Sequence, residues 1–140
     1  MSQAVLPHMI ERGSRRIVNI SSIIGETTNI GRCNCAASKS GRFGLTNSLT
    51  REAAFHLAGA GQVEEAGIGI TVNTVAPGYI ATEMVDAAPE RTLERIGAPI
   101  SLGRLGRSDE TAQVAHFVVA DQCLYITGAV WPANDGMDVR

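Results

Sequence analysis

Aromatic side chains are scarce in this sequence: one Trp, two Tyr and three Phe in 140 residues, so its core has to be built from aliphatic groups. A surplus of charge of one sign is missing too. Twelve basic against 14 acidic residues leave a net charge of −2 and no basic footprint, which argues against nucleic acid or an anionic membrane surface as a partner. No apolar run approaches the roughly 20 residues that a membrane-spanning helix needs. The opening segment carries Pro7, His8 and Glu11 where a signal peptide would be apolar, so a cytoplasmic location is expected. Cysteine is rare and odd in number. Cys33 and Cys35 stand too close together to staple a sizeable loop, and Cys123 is left over, which fits a reducing compartment. A metal would need further ligands from His8, His56 or His116, none at a ligand spacing, so no metal site is expected.

What is present suffices for one domain over residues 1–140, since 44% of the residues are apolar. Val5, Leu6, Met9 and Ile10 fall at helical spacing and predict the last turns of a helix, stopped by Gly13 and Ser14. Ile17, Val18 and Ile20 form a short β-branched run that reads as a buried parallel strand ending at Ser21 and Ser22. The Gly-, Thr- and Asn-rich loop after it is expected to form one wall of a pocket. From about Cys35 to Leu57 the residues favour a long helix. Phe43, Ala54 and Leu57 are placed on one side of it and Leu45 and Leu49 on roughly the opposite side, so two apolar faces are expected. One face can cover a sheet; the other calls for a second copy of the chain, predicting a homo-oligomer.

Gly59 to Gly67 reads as a surface loop, and Ile68 to Val75 as a second buried strand ended by Pro77 and Gly78. Pro89 at the first helical position, with Leu93 and Ile96, predicts a short helix bounded by Gly97 and Pro99. Ser108, Asp109 and Glu110 are expected to cap a helix with Val114, Phe117 and Val118 as its apolar stripe. Ile126 to Trp131 predicts a third strand, with Asn134, Asp135 and Gly136 as a turn. Three strands separated by helices imply an α/β fold: about three parallel strands with flanking helices, one half of a Rossmann-like doubly wound sheet. In such sheets ligands bind at the carboxyl ends of the strands, where Ser22 and the Pro77 loop fall.

Several of these segments resemble the short-chain dehydrogenase/reductase family. The matching residues are Asn19-Ile20-Ser21-Ser22-Ile23-Ile24-Gly25, Ala36-Ala37-Ser38-Lys39-Ser40-Gly41 and Val72 through Met84, the last containing Pro77-Gly78-Tyr79-Ile80-Ala81-Thr82. Within the family the chain is most similar to the acetoacetyl-CoA and 3-oxoacyl-carrier-protein reductases. The resemblance implies NADP(H), with NAD(H) as the alternative, and reduction of a 3-oxoacyl thioester. It implies that Ser22 holds the substrate carbonyl oxygen, that Lys39 grips ribose and tunes the proton donor, and that Pro77, Gly78, Ile80 and Thr82 touch the cofactor. It further implies a mobile substrate lid in the short helix near residues 90–96 and assembly through the long helix.

The departure from the pattern is Cys35. It stands thirteen residues after Ser22 and four before Lys39, where the family has its proton-donating Tyr. A free thiol titrates near about 8.5, so acidity does not exclude it, but reach does. Its sulfur lies one bond beyond Cβ, whereas a phenol oxygen lies across a whole ring. Nor does any Gly-x-x-x-Gly-x-Gly follow a strand here. Gly103-Arg104-Leu105-Gly106-Arg107 follows none and reads as a turn before Ser108. The dinucleotide-binding half of the fold is therefore expected before residue 1, and the chain is expected to be inactive alone. The alternative is a non-catalytic fragment or pseudo-enzyme that keeps only the assembly surface.

Overall fold

A computed structural model describes residues 2–13, 15–61, 69–87, 89–98 and 100–138, apart from the side chains of Met84 and Asp86. Helix α1 (Ser2–Arg12) buries Leu6, with Met9 and Ile10 packed beside it. It stops where Gly13 turns left-handed (φ +72) and donates its N–H to the carbonyls of Met9 and Ile10. Strand β1 (Arg15–Ile20), helix α2 (Ile24–Thr27) and helix α3 (Cys33–Gly59) follow, then strand β2 (Ile70–Pro77). Helices α4 (Glu83–Asp86), α5 (Glu90–Gly97) and α6 (Ser108–Val119), a 3-10 turn at Asp121–Cys123 and strand β3 (Val130–Ala133) complete the order.

The three strands form one parallel sheet in the order β1-β2-β3, so the expected α/β architecture is what the chain adopts. Central β2 is buried along its whole length, because α3 packs against it and α6 packs against all three strands. Leu49, Ala53 and Leu57 of α3 meet Leu6, Ile17, Ile70 and Val72 in the main core.

Four expectations are corrected by the structure. Strand β1, at the edge of the sheet, does not bury its whole apolar run: Ile17 and Asn19 point inward, while Ile20 is 42% exposed. The period-two alternation of a strand forces this inversion, and the buried Asn19 amide is satisfied by donating to Thr46 Oγ1 at 2.9 Å. Helix α3 places Leu49 on the same face as Leu57, with Thr46 and Ala53, because steps of four return to one side. Phe43 and Ala54 are half-buried, and Leu45 and Phe55 are exposed, at 39% and 76%.

Strand β3 begins at Val130 and not at Ile126. Gly128 is left-handed (φ +74), and the Thr127 hydroxyl accepts the N–H of Val72 at 3.0 Å, so a side chain does the work of a ladder carbonyl there. Both predicted helix starts shift by one position. Pro89 precedes α5 in an extended conformation (φ −56, ψ 144), and Arg107 holds the capping position of α6 with Ser108 as the first helical residue. The predicted loop at 59–67 lies outside the described residues from 62 onward, as do Ile68, Ser14 and Pro99.

Candidate active site

The ladder between β1 and β2 does not stop where the strands do. Ser21 N–H donates to Val75 O at 2.8 Å, and Ile23 N–H donates to Pro77 O at 2.8 Å. On the other side Gly78 N–H donates to Ala133 O at 3.0 Å. The exits of all three strands are thus stitched into one rim at the carboxyl edge of the sheet, and Ser22 and Gly78 both sit on it.

Helix α3 is clamped to this rim by its first turns. Ser21 Oγ donates to Lys39 O at 2.8 Å, Lys39 Nζ donates to Ser21 O at 3.4 Å, and Ser40 Oγ donates to Gly25 O at 2.6 Å. The fit leaves no room for a side chain at Gly25, where a Cβ would come within 2.9 Å of the Lys39 carbonyl carbon and 3.0 Å of Ser40 N. Gly78 is as tightly placed, with a hypothetical Cβ 2.9 Å from Asn134 Cα. Ser22, half-buried, accepts the Ile24 N–H at 3.3 Å through Oγ, which leaves its own proton to donate elsewhere. Cys35 lies one helical turn before Lys39 and is half-buried; among the described residues its sulfur has no hydrogen-bond partner.

Beyond Gly78 the chain runs beside Gly106. Gly106 N–H donates to Tyr79 O at 2.9 Å, and Ala81 N–H donates to Gly106 O at 2.8 Å, forming an isolated parallel bridge centred on Ile80. In such a bridge the N–H and C=O of the central residue point the other way. Those of Ile80 have no partner among the described residues. Thr82 is exposed immediately before α4. Gly103-Arg104-Leu105-Gly106-Arg107 is, as expected, a turn leading into α6.

One cavity of the structure is not lined by the loop after Ser22. That cavity lies between the exits of β2 and β3, lined by Gly78, Ile80, Ile100, Asn134 and Met137 among others. Asn29 of the loop does reach toward the rim, its Nδ2 standing 3.5 Å from Tyr79 Oη. No three His, Cys, Asp or Glu side chains gather as a metal site among the described residues, and no helix there is long and apolar enough to cross a membrane.

Sequence reasoning missed Ser21, whose hydroxyl rather than that of Ser22 ties α3 to the sheet. It missed the buried chain Asn19, Thr46 and Thr74, joined at 2.9 and 2.6 Å, and the wholly buried Asn73. Polar residues set inside apolar strands were the available signal. It also missed the partners of Glu110 at the start of α6: the Arg104 guanidinium donates to both Glu110 oxygens, at 2.9 and 2.7 Å, and Arg107 N–H donates to Glu110 Oε2 at 2.7 Å. Arg104 first, and the Arg107 amide second, hold the Glu110 carboxyl at about 2, below its ordinary 4.5. Folding therefore favours the ionised form, so this support for α6 is complete above about 4.5 and is lost as pH falls toward about 2. A carboxyl NMR titration should give a Glu110 midpoint near about 2, and Arg104→Ala should move it upward toward 4.5.

The family model described as enoyl-(acyl carrier protein) reductase matches residues 1–138. Together with the rim and the parallel sheet, that match shows that the chain belongs to the short-chain dehydrogenase/reductase family. An acetoacetyl-CoA reductase of Shinella zoogloeoides is 43% identical over 137 residues, covering 97% of this chain and 52% of that protein. A 3-oxoacyl-(acyl-carrier-protein) reductase of Pseudomonas aeruginosa is 41% identical over 137 residues, covering 98% of this chain and 51% of that protein. A (3R)-3-hydroxyacyl-CoA dehydrogenase of Mus musculus is 38% identical, with 98% and 49% covered. The chain spans about half the length of the curated relatives it matches.

Proposed function

We propose that these residues belong to an NAD(P)H-dependent ketoreductase acting on a 3-oxoacyl thioester of coenzyme A or of acyl carrier protein. We further propose that these 140 residues on their own do not turn over. The observation that supports the first part is the stitched rim, which gathers Ser22, Lys39 and the Pro77 to Thr82 segment on one edge, and the names of the relatives supply the substrate class.

The nicotinamide end of such a cofactor suits this rim. A carboxamide offers one acceptor oxygen and a donor NH2, which complement the unpartnered N–H and C=O of Ile80. Lys39 Nζ has three donors and one long hydrogen bond, so donors remain for ribose hydroxyls. Pro77 and Gly78 bring the backbone close, and Thr82 adds an exposed hydroxyl. When bound, the dinucleotide supplies the hydride. The residues of the chain have the remaining tasks: Ser22 donates its hydroxyl proton to the carbonyl oxygen as a hydrogen bond, and a group at position 35 delivers a proton to that oxygen. Cys35 cannot perform the second task from its place on α3, because its sulfur stops a ring's length short of where a phenol oxygen would stand.

The test of the binding part uses Trp131, half-buried on β3 and edge-to-face with Phe117 at 5.7 Å between ring centres. No Gly-rich phosphate turn follows β1, β2 or β3, so titrating the 140-residue chain with NADPH should leave the fluorescence without a saturating change in the micromolar range. Saturable micromolar binding would sink the proposal that this chain alone does not hold the cofactor.

A second reading, a non-catalytic protein that assembles through α3, draws on the exposed Leu45 and Phe55 of that helix. It expects a dimer or tetramer in sedimentation equilibrium, weakened by Phe55→Glu. A monomer at all concentrations would count against it.

A further inference from the structure

Lys39 is the only lysine in the sequence, and a single residue, Ser21, grips it at both ends. At the backbone end the Ser21 hydroxyl donates to Lys39 O at 2.8 Å; at the far end Lys39 Nζ donates to Ser21 O over a long 3.4 Å. That carbonyl belongs to the peptide bond that carries the Ser22 nitrogen, so the ammonium stands beside the backbone of Ser22. Ser21 cannot drift with the helix. It is 3% exposed, and its N–H is committed to Val75 O of β2 at 2.8 Å. Gly25 closes a further side, since Lys39 Cβ is 3.0 Å from where a Cβ of Gly25 would stand. A lysine side chain surrenders more rotamer freedom on being fixed than most others. Here part of that ordering precedes any ligand, which is how a site is preorganised around a charge.

We propose that Ser21 is a positioning residue that acts through Lys39, setting where the ammonium stands on the rim relative to the Ser22 hydroxyl. The two serines divide the tasks. Ser22 accepts the Ile24 N–H and keeps its own proton for the substrate, whereas Ser21 gives its proton to the helix that carries the lysine. This role of Ser21 presupposes the reductase reading of Lys39; Ser21 itself meets neither substrate nor cofactor.

Labelling with 13C,15N-lysine gives the chain one lysine spin system, so relaxation of the Lys39 ε-methylene can be read without assignment. Its order parameter should exceed that of the same chain unfolded in urea; equality would overturn the proposal before any variant is made. Ser21→Ala releases the Lys39 carbonyl, frees the helix end that carries the lysine, and should erase most of that difference. Ser21→Thr keeps a hydroxyl in place and should preserve it. Backbone amide shifts of Val72 and Val75 show whether β2 is intact in each variant. An intact Ser21→Ala chain with an unaltered Lys39 order parameter would make the serine a structural tie alone and overturn its positioning role. Where Ser21→Ala does not fold, Ser21→Cys, of nearly the same shape but a weaker donor, decides: the difference should shrink, and an unchanged value overturns the proposal. Neither cofactor nor turnover enters the measurement, so its failure is separable from failure of the reductase reading.

Discussion

Cys35→Tyr is expected to raise ketoreductase turnover by roughly 10²–10⁴-fold, the range that a positioned general acid contributes. The measurement is acetoacetyl-CoA-dependent NADPH oxidation in a chimera where the first half of the Shinella zoogloeoides reductase precedes residue 1. The expectation rests on placement. Cys35 is one turn before Lys39 on α3, and α3 is held to the rim through Ser21, Gly25 and Ser40, so a phenol at position 35, on the same helix face as Lys39, is expected to emerge toward the rim. The ammonium of Lys39, one turn along, would favour the phenolate that forms when the proton leaves. Cys35→Phe separates chemistry from packing, since it restores the ring without the hydroxyl and should give no gain. Equal rates for the Tyr and Phe variants would remove position 35 from the mechanism.

Asn73→Ala should be among the most destabilising single changes in the chain. Asn73 lies fully buried in the middle of β2, where its Nδ2 donates to Ile126 O at 2.9 Å and its Oδ1 accepts from Ala129 N–H at 3.1 Å. Removing the amide leaves both backbone groups, which belong to half-buried residues, without their partner, at roughly 2–4 kcal/mol for the pair. Urea unfolding followed by circular dichroism should show the loss as a lower midpoint with little change in slope. A loss under about 1 kcal/mol would mean that the segment before β3 is held chiefly by Thr127 and Gly128 and not by Asn73.

How far the fold could be read beforehand depended on which physical signal marked each element. The three parallel strands and the helices between them were legible because β-branched runs and helical spacing alternate along the chain. The serines ending β1 and the Pro77-Gly78 step ending β2 pointed to the ligand edge for the same reason. Burial direction was less legible. Asn19 turns inward and Ile20 outward because strand alternation and the helices packed on β1 decide which residues are covered, and that packing is a tertiary fact that a run of apolar letters does not carry. Leu49 and Leu57 proved to share a face because a 27-residue helix offers several phases to the eye and only packing chooses one. The late start of β3 came from a left-handed Gly128 and a hydroxyl standing in for a carbonyl, neither of which shows in hydropathy. In the site, the resemblance supplied Ser22, Lys39 and the Pro77 to Thr82 segment, and the structure put them on one rim. It could not supply the partnerless Ile80 backbone or the grip of Ser21 on Lys39, which exist only as geometry.

The stitching of the rim also bears on the order in which the molecule assembles. The rim bonds of Ser21 with Val75 and of Ile23 with Pro77 each join groups 54 residues apart in the chain. Parallel pairing of this kind has to close a long loop before any ladder bond compensates for it, whereas α3 can begin to form from neighbouring residues alone. The helix is therefore the expected early platform, and the carboxyl edge of the sheet is expected to acquire its shape after it.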